Sequence, residues 1–107
     1  MKNMEEIQKL SVLHCVYQEI ASADGSIVEE RDLAAINYAL SELDLSSLYS
    51  WDMALQMNPH DCFSHASGLC DNDKKLVRNM LLKVTQMGGN TDSRMICAKH
   101  ILQFAKC

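Results

Sequence analysis

The sequence has little proline and glycine, the two residues that most often interrupt regular backbone structure. Its 107 residues include one proline and four glycines, too few for a loop-rich or disordered chain. No segment alternates apolar and polar residues over a useful length, as a half-buried strand would. Because a chain of this length forms one domain, these absences favour a single all-α domain over residues 1–107.

Long apolar runs are absent as well. None approaches the roughly 20 residues that a membrane-spanning helix needs, and Glu5 and Glu6 stand where the apolar core of an export signal would begin. The five cysteines are odd in number and widely spaced, which favours reduced thiols over a disulfide framework. The sequence therefore predicts a cytoplasmic protein that does not insert into membranes.

Excess positive charge is missing too. The formal net charge is -4, whereas a protein that binds the nucleic-acid backbone needs a basic face. We therefore expect no nucleic-acid partner. The basic residues still gather late in the chain, while the first half is acidic, which favours head-to-tail contacts, an acidic partner or, more simply, a solvated helical face. They are Lys74, Lys75, Arg78, Lys83, Arg94, Lys99 and Lys106.

The motifs of common catalytic sites do not occur. There is no phosphate-binding glycine loop, no HExxH, no GxSxG and no CxxC. His14 and Cys15 are neighbours, but adjacent side chains on a helix point about 100° apart and cannot form a nucleophile–base pair. The sequence therefore predicts a protein that is not an enzyme and that has no catalytic residues.

What is present is helical periodicity. Apolar residues three or four positions apart predict a first helix from Asn3 to about Ser22, and Val12 widens its apolar face enough to make this helix central. The pattern resumes five more times, so we predict a multihelical domain of about six helices. The positions expected to face the core are Ile7, Leu10, Leu13, Val16, Tyr17, Ile20, Leu33, Ile36, Leu40, Leu43, Leu48, Trp51, Leu55, Phe63, Ala66, Leu69 or Cys70, Leu76, Val77, Met80, Leu81, Val84, Met87, Met95, Ala98, Ile101, Leu102 and Ala105.

Polar and glycine-containing stretches separate the predicted helices. Asp24-Gly25 ends the first helix, and Ser26 with Glu29 forms a capping box for the second. Asn58-Pro59 is a start signal for the fourth helix, with Asn as N-cap and Pro in the first helical position. The later signals are Asp71-Asn72-Asp73, which caps the fifth helix, and Gly88-Gly89, which ends it.

The two ends of the chain share a pattern of long apolar helix, glycine turn and second helix. When Ile20 is aligned with Val84, Gly25 meets Gly89. This match predicts two repeated helical hairpins, residues 3–45 and 71–107, although two unrelated amphipathic hairpins would align about as well.

The first hairpin resembles the TerB-like family, named for tellurite-resistance proteins and also represented by the N-terminal domain of a membrane-anchored DnaJ-type co-chaperone. The resemblance rests on Ile20-Ala21-Ser22-Ala23-Asp24-Gly25-Ser26-Ile27. It implies a multihelical fold with two repeated halves and a stress-associated, non-enzymatic role that involves metal response and binding to partners. Two departures bear on the metal role. Arg31 stands where the family usually has glutamate, and Gly88-Gly89-Asn90 replaces the second acidic turn.

The first glycine turn is also a candidate cation site. Hard cations such as Ca²⁺ and Mg²⁺ bind converging carboxylate, carbonyl and water oxygens, and Asp24, Glu29 and Glu30 supply three carboxylates here. The simpler interpretation is that Asp24 stabilises the turn, Glu29 caps the helix and Glu30 is solvated.

Two further hypotheses concern zinc and a protein partner. His60, Cys62 and His65 are a candidate zinc set, which would need further ligands from another helix, such as Cys97 and His100. A core cysteine with exposed histidines is the alternative. Tyr49 and Trp51 are candidate anchors for a partner helix beside an adaptable groove rich in methionine. The alternative is that the methionines fill the core.

Overall fold

The structure is a computed structural model. It describes the backbone of residues 5–24, 29–45, 48–87 and 91–106, and the side chains of these residues except 22–24, 29–32, 48–49, 91–94 and 104. The described chain forms six helices and no strand, which confirms the predicted all-α class. The helices are α1 (Glu6–Asp24), α2 (Glu29–Glu42), α3 (Leu48–Leu55), α4 (Pro59–Ser67), α5 (Asp71–Gln86) and α6 (Thr91–Phe104).

Helix α1 lies at the centre and packs against each of the other five helices. A helix covered on all sides has buried residues around its whole circumference. Accordingly α1 buries polar side chains together with apolar ones, namely Leu10, Ser11, Val12, Leu13, His14, Cys15, Val16, Glu19 and Ile20. The prediction of a central first helix is confirmed.

Small side chains line the contact between α1 and α4. Ser11 and Cys15 on α1, and Cys62 and Ala66 on α4, have no exposed surface. Short side chains let two helix backbones approach closely, and here they are joined by a side-chain hydrogen bond between Ser11 and Cys62. The Ser11 hydroxyl also lies 2.7 Å from the carbonyl oxygen of Ile7, to which it donates. This contact fixes α4 against the central helix.

The start of α4 forms as predicted, whereas the start of α5 does not. The Asn58 side-chain oxygen accepts from the backbone N–H groups of His60 and Asp61 at 2.8 and 3.3 Å, and Pro59 occupies the first turn. The N-cap of α5 is Cys70, which makes no side-chain capping bond. The predicted Asp71-Asn72-Asp73 cap is therefore wrong. These residues form the first helical turn, where Asp71 and Asp73 still face the positive end of the helix dipole.

Three apolar residues predicted to face the core are exposed. Ile7, Leu33 and Leu76 leave 41%, 40% and 40% of their surface exposed. Each lies at the edge of the apolar stripe along its helix, and the neighbouring positions face the core instead. In α2 these positions are Ala35, Ile36, Ala39 and Leu40. At the end of α4, Leu69 is buried and Cys70 is exposed.

Helix α2 ends in a left-handed turn at a residue that is not glycine. Asp44 has φ 55°. The backbone N–H of Leu45 donates to the Leu40 carbonyl at 2.9 Å, and that of Asp44 donates to the Ser41 carbonyl at 3.1 Å. These two bonds define a Schellman motif, in which glycine is the usual left-handed residue. Leu45 packs against the core beyond the turn.

The predicted hairpins 3–45 and 71–107 correspond to α1–α2 and α5–α6, and the helices of each pair pack together. Their origin by duplication stays a prediction. The Ser26 cap and Gly88-Gly89 lie outside the described residues. Among the described helices, none combines the length and the apolar character required to cross a membrane.

Candidate functional site

An open groove lies between α4 and the turn that follows α6. Its volume is about 290 Å³. Among the described residues, four that line the groove come from α4, and one follows α6. The lining residues are His60, Phe63, Ser64, Ser67 and Lys106.

The wall on α4 follows from helical spacing. His60, Ser64 and Ser67 are separated by four and three residues, which places them along one face of the helix. The Ser67 hydroxyl donates to the Ser64 carbonyl at 2.8 Å. Phe63 is half-buried and packs against the core, so its ring gives the groove an apolar base. The short Asn58-capped helix thus presents an imidazole and two hydroxyls beside an aromatic surface.

The opposite wall depends on Lys106, which is exposed and has φ 56°. Left-handed backbone costs a residue with a Cβ roughly 1 kcal/mol or more relative to glycine. Two backbone hydrogen bonds hold the turn. Ala105 N–H donates to the Ile101 carbonyl at 2.9 Å, and Lys106 N–H donates to the Gln103 carbonyl at 3.2 Å. The lysine side chain therefore starts from a fixed point at the groove edge.

The groove is suited to binding a negatively charged group. Lysine contributes an ammonium donor, serine hydroxyls can donate or accept, and imidazole can donate. Among the described residues, no carboxylate lines the groove. Hydrogen bonds from charged donors to an oxyanion are stronger than neutral ones. The lining offers one ammonium group, an imidazole and hydroxyls next to an apolar ring, an arrangement that can hold a ligand and orient it.

The sequence pattern indicated this site only in part. His60 was a candidate zinc ligand and Lys106 was one of several basic residues, whereas Ser64 and Ser67 were not among the candidate site residues. Their spacing with His60 was the available signal, because it marks a polar face on α4. Nothing local in the sequence indicated that Lys106, far along the chain, would border that face.

The candidate cation residues lie at the connection between α1 and α2. Asp24 is the last residue of α1, and Glu29 and Glu30 begin α2, so four residues separate Asp24 from Glu29. The side chains of all three lie outside the described residues. Their convergence on a cation therefore stays a prediction.

The zinc candidates on α4 point in different directions. Cys62 is buried, whereas His60 and His65 are exposed. Burial raises the pKa of the Cys62 thiol, the Ser11 hydrogen bond lowers it by less, and Asp61 adds a further rise. Metal binding requires the thiolate. Among the described residues, no three His, Cys, Asp or Glu side chains are grouped to hold a metal ion, so the structure does not assemble this set.

Of the two candidate anchors, Trp51 belongs to the core. It is 7% exposed, and its ring centroid lies 6.2 Å from that of Tyr17 in an edge-on arrangement. It therefore holds α3 against α1 and offers little surface to a partner. The side chain of Tyr49 lies outside the described residues.

Two buried polar contacts connect α1 with neighbouring helices. His14 Nδ1 lies 2.7 Å from the Ala54 carbonyl oxygen, and Nε2 lies 3.1 Å from Gln18 Nε2. A carbonyl only accepts, so Nδ1 donates and Nε2 accepts from the amide of Gln18. The Thr85 hydroxyl contacts Glu19 Oε1 at 3.1 Å and the Leu81 carbonyl at 2.8 Å. We interpret both contacts as packing features, since His14, Glu19 and Thr85 are almost fully buried.

The resemblance to the TerB-like family rests on the residues around Asp24-Gly25 alone, because no family model, curated protein or solved structure matches this chain.

Proposed function

We propose that the protein is a small, non-enzymatic helical binding module whose ligand site is the groove between α4 and Lys106. The groove itself is the observation that carries the proposal. It combines a half-buried aromatic base with a few convergent polar groups, which is the usual composition of a ligand site. Its donors are suited to holding a ligand.

The size of the groove limits what it takes. Ligand pockets for small molecules range from about 300 to 1,000 Å³, and this groove of about 290 Å³ lies at the lower limit. It is also open to solvent. A single side chain or small polar group of a larger partner therefore fits better than a wholly enclosed cofactor.

The TerB-like assignment and a weak Ca²⁺ or Mg²⁺ site are a second part of the proposal. Its support is the order of the helices, in which a long central α1 ends at Asp24 and an acidic α2 begins after four intervening residues. A short connection brings the two helix ends close in space, and hard cations bind where several oxygens converge. Glu29 and Glu30 are the further carboxylates expected to take part.

The groove proposal is tested with small fragments of all charge classes, followed through the backbone amide signals of the whole chain by NMR. We expect fragments to shift the amides of Ser64, Ser67 and Lys106 in a saturable way. The variant Ser64→Trp fills the groove from an exposed position and should abolish these shifts. Asn79→Trp, exposed on α5, is the matched control and should keep them. Saturable shifts that survive Ser64→Trp, or none at these residues, would overturn the proposal.

A further inference from the structure

The charge distribution of the groove indicates the nature of its ligand. The chain carries 14 acidic and 10 basic residues, yet the described groove lining has a lysine and a histidine without a carboxylate. On α6, Lys99 is also exposed, on the helix that leads to Lys106. In a protein that is acidic overall, this face favours a negatively charged ligand.

The position of the two serines on α4 favours a carboxylate ligand over a phosphate. Phosphate sites commonly use the N-terminal amides of a helix or the planar guanidinium of arginine. Here Ser64 and Ser67 lie in the last turns of α4, where the carbonyl end of the helix carries partial negative charge. A singly charged carboxylate is repelled less by that charge than a phosphate with nearly two. The groove lining also contains no arginine among the described residues.

The apolar part of the groove indicates what surrounds the carboxylate. Phe63 lies beside the donors as a half-buried ring. Such a surface favours the aliphatic stem of a glutamate or a neighbouring apolar side chain. A free inorganic anion would leave this ring uncovered.

We propose that the groove binds an acidic segment of a protein partner, with one carboxylate held by Lys106, His60 and the Ser64 hydroxyl and an apolar neighbour on Phe63. This inference rests on the proposed binding function and names its ligand class. Binding requires no covalent step.

The test is a titration of the whole chain with an end-capped hexapeptide of alternating leucine and glutamate, followed by NMR. The same peptide with glutamine in place of glutamate is the control. We expect the acidic peptide to shift the amides of Ser64, Ser67 and Lys106, and the affinity to fall as salt is added. The glutamine peptide should bind at least about tenfold more weakly than the acidic peptide.

The decisive variant is Lys106→Asn, because asparagine tolerates left-handed backbone and lacks the charge. It should keep the fold and weaken the acidic peptide about tenfold. Lys83→Asn removes an exposed lysine outside the groove and should leave binding unchanged. Equal binding of the two peptides, or an unchanged affinity in Lys106→Asn, would overturn the carboxylate proposal.

Two other outcomes distinguish the proposals. Inorganic phosphate that produces the same shifts at lower concentration would overturn the acidic peptide in favour of a phosphate ligand. Fragments that shift the groove amides while neither peptide does would leave the binding site standing and overturn only its assignment to acidic segments. A groove that responds to no fragment and no peptide would overturn both.

Discussion

Asp44 occupies a backbone conformation that glycine adopts at lower cost. Its φ of 55° lies in the left-handed region, and its carboxylate sits at the negative end of the α2 dipole. We expect Asp44→Gly to raise the free energy of unfolding by roughly 1 kcal/mol. Urea denaturation measures this change. Glu42→Gly, two residues earlier within α2, is the control and should lower stability by about 0.5–1 kcal/mol. A loss of stability in Asp44→Gly would contradict this account of the turn.

Cys62 gives stability a dependence on alkaline pH. Burial raises its pKa above the ordinary value of 9.0. The thiol of the unfolded chain therefore ionises first, so its contribution to stability is complete below about pH 9 and is lost as pH rises through the higher folded pKa. We expect the free energy of unfolding to fall above pH 9, and to fall less in Cys62→Ala.

Denaturation at pH 7.5, 9 and 10 in both proteins separates this effect from that of other groups. Tyr38 also has a raised pKa, from burial first and from Glu42 second, but its ordinary value is 10.0. Its contribution should persist in Cys62→Ala. If both proteins lost stability equally between pH 7.5 and 10, Cys62 would not be the cause.

At the scale of helices, His14 connects α1 with α3. It is 1% exposed, and its Nδ1 contacts the Ala54 carbonyl at 2.7 Å. The variant His14→Ala removes a buried ring and a hydrogen bond, so we expect the free energy of unfolding to fall by about 2 kcal/mol or more. Gln18→Ala should cost less, because Gln18 is half-buried and contacts only the outer ring nitrogen. Thermal melting, monitored by circular dichroism, compares the two variants. Equal losses of stability would argue against the contact with α3 as the main cause of the effect of His14→Ala.

The helices themselves were predictable because their apolar periodicity and caps are local. Asn58 with Pro59 marks the start of α4 in the sequence and in the structure. The local sequence does not determine which side of each apolar stripe is buried, because that depends on which helices pack together in the fold. Leu33 and Leu76 are exposed for that reason, and His14 is buried because α1 is covered on all sides. The groove joins α4 to a residue about forty positions later, and only its α4 face had a sequence signal.

For the molecule as a whole, metal binding is tested by its effect on stability. A cation that binds only the folded chain raises the melting temperature as its concentration exceeds the dissociation constant. We expect metal-stripped protein to melt at a higher temperature with millimolar Ca²⁺ or Mg²⁺, and the rise to be lost in Asp24→Asn. Asp52→Asn, an exposed change on α3, is the control and should keep it. A rise with Zn²⁺ alone would move the site away from the acidic turn.

The central position of α1 also has a consequence for biosynthesis. Helix α1, which packs against the other five helices, is synthesised before any of them. Chains grow at about 5–20 residues per second, so the buried surface of α1 waits roughly 4–16 seconds for α6 to be synthesised. During that interval α1 lacks the helices that cover it in the folded chain. Exposed apolar surface makes a nascent chain prone to aggregation, so we expect the chain to benefit from chaperone protection until α6 has been made.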